Sequence, residues 1–203
     1  MLYILGAGSF AREVYWHARQ SGFEDIEFLA EFGDKYLKTG HCTLSVHTDW
    51  HALEPGDFIV GVGSPSLKKK LVAKALEVGL KPHPTVVHPS VLRADMEDNY
   101  GFGGVIMPRV LLTCDIKLGD YVTLNLGVTV GHDAVLEDYV NCAPGVHVSG
   151  NVTLKEGANI GTGAVIKEKI TVGPWTTLGA QACLVKDAAE GVYVGVPARP
   201  FFK

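Results

Sequence analysis

His132 and Asp133 are the residues of this chain best suited to catalysis. The pair places an imidazole beside a carboxylate that could fix its tautomer, an arrangement suited to general-base work near neutral pH. Successive residues of a straight strand face opposite ways, so Asp133 can orient His132 only if the chain bends there. The dipeptide alone leaves two interpretations open: a general base, or an ordinary polar pair on the surface.

A glycine-rich turn near the N-terminus is a candidate nucleotide site. Gly6-Ala7-Gly8-Ser9-Phe10-Ala11 lies between an apolar stretch, Leu2–Leu5, and a segment with helical periodicity. Glycines in such a turn permit close backbone approach, and a helix N-terminus favours phosphate. Glu31 falls near the position of the acid that binds a ribose in dinucleotide enzymes. The alternative is a turn that serves packing alone, because short motifs match by chance.

The first half contains too few expected strands for a dinucleotide enzyme. Besides Leu2–Leu5, apolar stretches predict strands at Ile26–Leu29 and Phe58–Val62, and helices are expected after Phe10 and after Pro65. This alternation indicates an α/β fold. We therefore predict a half-sized Rossmann-like unit that could seat one nucleotide diphosphate.

A six-residue period of apolar residues governs the second half. Neither a helix nor an alternating strand sustains such a period, whereas a fixed short repeat is typical of a solenoid. The pattern predicts a β-helix of short strands joined by bends, with the sixth-position side chain directed inward. These residues are Ile106, Leu112, Leu118, Leu124, Val130, Leu136, Cys142, Val148, Leu154, Ile160, Ile166, Val172, Leu178 and Leu184. A small or branched residue follows four positions later: Val110, Ile116, Val122, Val128, Ala134, Val140, Val146, Val152, Ala158, Ala164, Ile170, Thr176 and Ala182.

Composition limits the function classes. The chain has 203 residues, 47% of them hydrophobic, and a formal net charge of −4, which predicts no basic surface for nucleic acid. The run Lys68-Lys69-Lys70 predicts a solvated helix face. Four cysteines without CxxC spacing fit reduced thiols in a cytoplasmic protein. We expect no signal peptide and no membrane insertion, because no apolar run is long enough to cross a bilayer.

Prolines mark the expected domain boundary. Pro82, Pro84 and Pro89 separate the two sequence patterns, and proline interrupts helices and central strands. We predict an α/β domain over residues 1–82 and a β-helix domain over residues 83–203, whose last residues flank the open end of the β-helix.

Several motifs together are more specific than any one of them. Gly6-Ala7-Gly8-Ser9-Phe10-Ala11-Arg12-Glu13, Gly61-Val62-Gly63-Ser64-Pro65, Gly131-His132-Asp133 and the hexads make the chain similar to bacterial sugar acetyltransferases of the sialic-acid O-acetyltransferase family. The resemblance is strongest to N-acetyltransferases acting on UDP-4-amino-sugars. It implies a left-handed parallel β-helix, a Rossmann-like domain for the nucleotide-sugar, a homotrimer, and acetyl-CoA in the groove between neighbouring β-helices.

The resemblance also implies roles for particular residues. It implies that His132 is the general base, that Asp133 is its partner, and that no metal is needed. The residues that match nucleotide-sugar contacts are Gly8, Ser9, Phe10, Ala30, Glu31 and Gly63, with Asn125 near the sugar. The residues that match acetyl-CoA contacts are Asn141, Gly150, Thr162 and Ala180.

Several of these positions depart from the family pattern. Phe10 and Asn141 stand where histidines are frequent, Ala30 with Glu31 replaces a pair of aspartates, and Ala180 stands where glycine is common. The departures bear on the identity of the nucleotide and the sugar, and the catalytic pair is intact.

The resemblance implies three hexads per coil, which turns the sequence into a map of stacked positions. Residues eighteen positions apart should lie one strand spacing apart, ~4.8 Å. Gly150 then lies one coil above His132, so the imidazole faces a position without a side chain. His147 lies between Thr129 and Val165 in this map and is interpreted as structural.

The predicted function is acetyl-CoA-dependent N-acetylation of a nucleotide-linked amino sugar, by direct attack of the amine. O-acetylation of a sugar hydroxyl, such as that of a sialic acid, is the nearest alternative. A non-catalytic β-helix scaffold is a further one. A metal-dependent hydratase would need three converging histidines, and an NAD oxidoreductase would explain the glycine turn but not the hexads.

Overall fold

The N-terminal half is an α/β unit built on a mostly parallel sheet. In this computed structural model the described residues are 1–31, 33, 36–39, 42–94 and 100–201. The strand order is β3-β4-β2-β1-β5-β6, and only the β3–β4 pair is antiparallel. The elements are β1 (Leu2–Leu5), α1 (Ser9–Gln20), β2 (Ile26–Leu29), β3 (Tyr36–Thr39), β4 (Cys42–His47), a 3₁₀ turn (Trp50–Ala52), β5 (Asp57–Val60), α2 (Pro65–Glu77) and β6 (Lys81–Pro82).

Local sequence explains these elements. All four residues of β1 are buried, as expected for a central parallel strand covered on both faces. Helix α1 buries the stripe Ala11, Val14, Tyr15 and Ala18, the spacing of one helical face. Ser64 caps α2 by accepting from the Leu67 N–H, and Pro65 occupies the first turn. The predicted strands and helices of this half are present, whereas β3, β4 and β6 were not predicted.

The C-terminal half is a parallel β-helix, consistent with the left-handed form. Its strands form three faces. The first face contains β7 (Val86–Val87), β9 (Val105–Ile106), β12 (Thr123–Leu124), β15 (Asn141–Cys142), β18 (Asn159–Ile160), β21 (Thr177–Leu178), β23 (Val192–Val194) and β24 (Arg199–Pro200). The second face contains β8 (Leu92–Arg93), β10 (Leu111–Leu112), β13 (Thr129–Val130), β16 (His147–Val148), β19 (Val165–Ile166) and β22 (Cys183–Leu184). The third face contains β11 (Lys117–Leu118), β14 (Val135–Leu136), β17 (Thr153–Leu154) and β20 (Thr171–Val172).

The hexad residues form the interior of the β-helix, as predicted. Every sixth-position residue from Ile106 to Leu184 is buried, and so is every residue four positions later. Burying each large aliphatic side chain contributes about 1.5–3 kcal/mol. Strand pairing has the expected register, for example Thr123 beside Asn141 and Asn141 beside Asn159. Two early strands, β7 and β8, extend the β-helix below the predicted start of the repeat.

Sharp bends join the faces. We call the bend from first to second face the first bend, that from second to third the second bend, and that from third to first the third bend. Their third residue adopts a left-handed conformation, for example Asp133 (φ 58°) and Asn151 (φ 57°). Aspartate and asparagine tolerate this region better than most residues. Within the described part of the chain, no helix is long and apolar enough to cross a membrane.

The two halves meet at the third bend and the first face. Tyr121 stacks on Phe58 of β5 at 6.2 Å and on Tyr139 of the next coil at 5.0 Å between ring centroids. Lys69 Nζ lies 2.7 Å from Glu156 Oε1 and 5.0 Å from the ring centroid of Trp175. Helix α2 is therefore held against the β-helix by aromatic and ionic contacts.

The prediction of a solvated face at Lys68–Lys70 is wrong for Lys68, whereas Lys69 and Lys70 are exposed as predicted. Lys68 is fully buried, with 0% of its surface exposed, and donates only to groups of the β-helix. Lys69 pairs with Glu156 on the third bend, and Lys70 pairs with Glu31 in the α/β half. The three lysines lie at successive positions around a helix, so each one meets a different surface.

Candidate active site

The second bend holds His132 and Asp133 in contact. His132 Nδ1 lies 2.7 Å from Asp133 Oδ2, and both side chains are exposed. The left-handed backbone at Asp133 supplies the bend that this contact requires. The Asp133 N–H donates to Cys114 O (3.1 Å) and the Asn151 N–H donates to His132 O (2.8 Å). Backbone bonds to the coils below and above therefore fix the backbone of the pair.

The imidazole lies against Gly150, as the coil map predicted. A Cβ on Gly150 would lie 2.6 Å from His132 Nε2 and 2.8 Å from Cε1, closer than side-chain carbons approach. With Nδ1 donating to the carboxylate, the Nε2 lone pair is available to accept a proton. This geometry suits a general base, because the accepting nitrogen faces a position without a side chain.

A cavity of about 480 Å³ lies at the glycine-rich turn. It opens beyond the carboxyl ends of β1 and β5, where the strand order changes direction, and ligands of open α/β sheets bind at this place. Most of its lining is apolar, with one carboxylate, and includes three predicted contacts, Gly8, Ala30 and Glu31. The lining residues are Gly6, Ala7, Gly8, Ala30, Glu31, Gly33, Leu37, Val46, Val62, Leu67 and Leu71.

The glycines of this turn do different work. Gly6 has φ 108°, and a Cβ there would lie 2.6 Å from Val62 Cγ1, so its role is close packing. A Cβ on Gly8 would meet nothing within 4 Å, so Gly8 leaves open space at the N-terminus of α1. The packing interpretation therefore applies to Gly6, and nucleotide binding at Gly8 stays a prediction.

The acid in the cavity is held by a lysine from α2. Glu31 Oε2 lies 2.9 Å from Lys70 Nζ, an ion pair at the edge of the cavity. The neighbouring Ala30 is buried, and its carbonyl accepts from Trp50 Nε1 at 3.0 Å. Glu31 thus presents a fixed carboxylate, while Ala30 offers the cavity an apolar wall.

Ser9, Phe10 and Gly63 lie outside the cavity lining. Ser9 Oγ accepts from Arg12 Nη2 at 3.1 Å, and Phe10 packs against the cluster that includes Met107 of the β-helix. Gly63 lies against the first face. A Cβ there would be 3.7 Å from Asn141 Oδ1. The turn before α2 is therefore next to a residue that the resemblance assigns to acetyl-CoA.

Asn141 is a buried polar residue on the first face. It is 8% exposed, and its Nδ2 donates to Asn159 Oδ1 (2.9 Å) one coil higher. This bond leaves Asn141 Oδ1 on the side of Gly63. The sequence analysis did not identify Asn159, although the eighteen-residue register predicts that it stacks on Asn141.

The remaining predicted contacts form a column on the first bend. Asn125 Oδ1 accepts from the Leu126 N–H at 2.7 Å. Thr162 and Ala180 are exposed and stacked, since the Gln181 N–H donates to Thr162 O at 2.8 Å. The predicted residues thus form two groups on either side of the second face. His132, Asp133 and Gly150 lie on the second bend, and the others lie on the first bend, the first face and the α/β half.

Other histidines were checked for metal binding. Across the described residues, no group of three or more His, Cys, Asp or Glu side chains could hold a metal ion. His147 Nδ1 lies 2.8 Å from Thr129 Oγ1, and His147 pairs with Thr129 and Val165 in the second face, the register predicted for it.

Known proteins similar to this chain include acetyltransferases. Residues 1–75 match the family described as the PglD N-terminal domain. The acetyltransferase domain of PglB from Neisseria gonorrhoeae is 29% identical over 98% of both chains, with a TM-score of 0.89. WeeI from Acinetobacter baumannii is 27% identical over 99% of both chains, with a TM-score of 0.87. PerB from Caulobacter crescentus, in complex with CoA and GDP-perosamine, is 26% identical over 99% of this chain and 97% of its own, with a TM-score of 0.86.

Fold, site and comparisons define an acetyltransferase of the hexapeptide-repeat class. Within that class, residues 1–75 match the PglD N-terminal domain, and the whole chain is similar to the acetyltransferase domain of PglB and to a perosamine N-acetyltransferase.

Proposed function

We propose that this protein transfers the acetyl group of acetyl-CoA to the amino group of a nucleotide-linked amino sugar. The observation that carries the proposal is the imidazole of His132, paired with Asp133 and with its Nε2 facing Gly150, in a chain whose α/β half has a cavity at the glycine-rich turn. PerB was solved with CoA and GDP-perosamine, and PglB with acetyl coenzyme A, which supports both substrates.

The chemistry is a direct acyl transfer. The sugar amine attacks the thioester carbonyl, the new C–N bond forms, and the C–S bond breaks with release of the CoA thiol. His132 Nε2 accepts the proton of the amine, and Asp133 stabilises the imidazolium through Nδ1. A backbone N–H near Gly150 would bind the oxyanion, the kind of donor whose loss costs roughly 10²–10³-fold in rate.

The α/β half would bind the nucleotide. The N-terminus of α1 at Gly8 suits the diphosphate, and Glu31 suits the ribose hydroxyls, with Lys70 fixing its carboxylate. The apolar cavity walls suit the base. We favour a UDP-sugar by resemblance, and PerB makes a GDP-sugar the main competitor.

A thiol-release assay with acetyl-CoA and UDP-, GDP- and dTDP-linked amino sugars tests the function. The matched hydroxy sugars test O-acetylation. Thiol release with an amino sugar alone supports N-acetylation, release with the hydroxy sugar selects the alternative, and release with neither contradicts the proposal.

We also propose that the site is completed by a neighbouring chain in a homotrimer. The second face separates the bend that bears His132 from the bend that bears Asn125, Thr162 and Ala180. In a threefold assembly with the second face toward the axis, the second bend of one chain meets the first bend of the next. The outer side of this face is partly apolar, since Leu92 is 67% exposed and Leu111 and Val165 are also exposed.

The reaction would take place in the cytoplasm. All four cysteines are free thiols, which fits a reducing compartment.

Gly8→Trp should raise the acceptor KM and leave the acetyl-CoA KM nearly unchanged. The backbone at Gly8 is extended (φ −85°) and its Cβ position is open, so an indole can enter the cavity without strain. Gly8→Ala is the matched control and should behave like wild type, since a methyl group there meets nothing within 4 Å. Equal damage to both KM values would show that the turn is merely structural.

Mixed trimers test the shared site. Gly8→Trp damages the acceptor cavity and His132→Ala removes the base. If the cavity and the base of one site come from different chains, refolding equal amounts of the two variants together should restore about a quarter of wild-type activity. About a quarter of the sites would then pair an intact cavity with an intact base. Each variant refolded alone is the control. No recovery in mixed trimers, or an active monomer in sedimentation, would contradict the shared site.

A further inference from the structure

Lys68 is a charged side chain that the proposed mechanism does not use. It lies in α2, is fully buried, and its Nζ donates to Tyr121 O (2.9 Å), Thr123 Oγ1 (3.0 Å) and Val140 O (3.4 Å). None of these partners is a carboxylate. All three belong to the β-helix, although Lys68 belongs to the α/β half.

A buried ammonium group tolerates few arrangements. It has three donors, and each one that lacks an acceptor away from water carries a desolvation cost. Here three oxygen atoms from two adjacent coils match the three donors. Val140 O also accepts the Thr123 N–H that joins these coils, so its position is fixed independently of Lys68. The contact therefore sets the position of α2 on the β-helix.

The position of α2 in turn sets the position of the turn before it. Lys68 donates to Val140 O, and a Cβ on Gly63 would lie 3.7 Å from Oδ1 of the next residue, Asn141. The Lys68 N–H also donates to Ser64 O at 2.8 Å, which joins the lysine to the beginning of the helix. Lys68 and the turn before α2 therefore lie beside consecutive residues of the β-helix, Val140 and Asn141.

We propose that Lys68 is a positioning residue for acetyl transfer: it holds the Gly63 turn of the acceptor-binding half against Asn141 on the first face of the β-helix. The inference rests on the proposed function and concerns the acceptor. Loss of the Lys68 ammonium group lets the Gly63 turn move relative to Asn141. The acceptor is then misplaced, while the β-helix and its coenzyme contacts stay intact.

Lys68→Met tests this in the 203-residue protein, with thiol release as the assay. Methionine keeps the length and the apolar stem and removes the three donors. We expect the acceptor KM to rise about tenfold or more, the usual value of a hydrogen bond to a charged group, with the acetyl-CoA KM nearly unchanged. Lys69→Met is the control from the same helix and interface. Its ion pair with Glu156 is half exposed, and we expect the acceptor KM to change little.

Thr123→Val covers the case in which Lys68→Met does not fold. It removes one acceptor of the ammonium group and preserves the shape of the side chain. We expect the acceptor KM to rise in the same direction by a smaller factor. An unchanged acceptor KM in either folded variant, or equal changes in both KM values, overturns the proposal.

The pH dependence provides a readout that a purely structural role would not change. Burial lowers the pKa of Lys68 to about 7. Deprotonated Lys68 has two N–H donors and cannot donate to all three oxygen atoms. The contact therefore weakens as Lys68 loses its proton, and the wild-type acceptor KM should rise above about pH 7. Facing groups do not titrate there: burial raises the pKa values of Cys142 and Tyr121 to about 12, and the Lys69–Glu156 pair lies at the outer side of the interface. The pH step should be absent in Lys68→Met, and its persistence there contradicts the role of Lys68.

Wild-type activity separates this proposal from the function itself. If the wild type acetylates none of the amino sugars, the proposed function fails. If the wild type is active and Lys68→Met keeps a normal acceptor KM, only the positioning role fails.

Discussion

We expect His132→Ala to fold, assemble and bind acetyl-CoA, and to lose roughly 10²–10⁴-fold in kcat, the usual contribution of general-base catalysis. The side chain is exposed, so its removal leaves the core hexads of its coil intact. The stacked position above it is Gly150, which has no side chain that could replace the imidazole. Steady-state kinetics with a binding measurement for acetyl-CoA separates the loss of chemistry from a loss of binding.

Asp133→Asn is the companion variant. It keeps a side chain of the same shape beside Nδ1 but weakens the stabilisation of the imidazolium, so kcat should fall less than in His132→Ala. A His132→Ala enzyme with nearly normal kcat at neutral pH would falsify the assignment and leave the histidine as a surface residue.

Gly150→Ala should lower kcat by about 10²-fold, because displacing a catalytic group by about 1 Å costs that much. The added Cβ would lie 2.6 Å from His132 Nε2, so the imidazole ring must move away from Gly150. The backbone of Gly150 is outside the left-handed region, so alanine fits it without strain.

A double-mutant cycle shows whether this effect passes through the imidazole. In a His132→Ala background, Gly150→Ala should cost little more, because the ring that it displaces is gone. If the two losses multiply instead, Gly150 acts on acetyl-CoA directly and the steric explanation is wrong.

The β-helix could be predicted from the sequence because one physical rule generates it. The second residue of each two-residue strand points into the β-helix, so interior residues recur every six positions in the sequence. Cys142 and Val148 stand at two of these positions, and both are buried. The same interval placed Gly150 against His132. Strands β7 and β8 pair with β9 and β10 at an offset of nineteen residues rather than eighteen, so the fixed interval did not predict them.

The docking of the two halves could not be predicted in this way. The charge of three consecutive lysines predicts that they are exposed to solvent. Lys68, however, lies on the buried face of α2 with Leu71, Val72 and Ala75. This helical spacing is visible in the sequence and would have predicted that Lys68 is buried, but the prediction followed the charge instead. Which oxygen atoms would receive the ammonium depends on contacts more than fifty residues away in sequence, and local patterns do not contain them.

The eighteen-residue register also restricts how such an enzyme can change in length during evolution. Loss of one hexad, such as residues 137–142, would rotate every later bend by a third of a coil. Glu156 would then take the place of Gly150 above the imidazole, and Thr162 would move to the third bend, away from a neighbouring chain. Gain or loss of a whole coil above the site would preserve every bend. We therefore expect insertions and deletions within the catalytic coils of natural variants to be complete coils of eighteen residues. Other lengths should occur only at the ends of the β-helix or in loops that project from a bend.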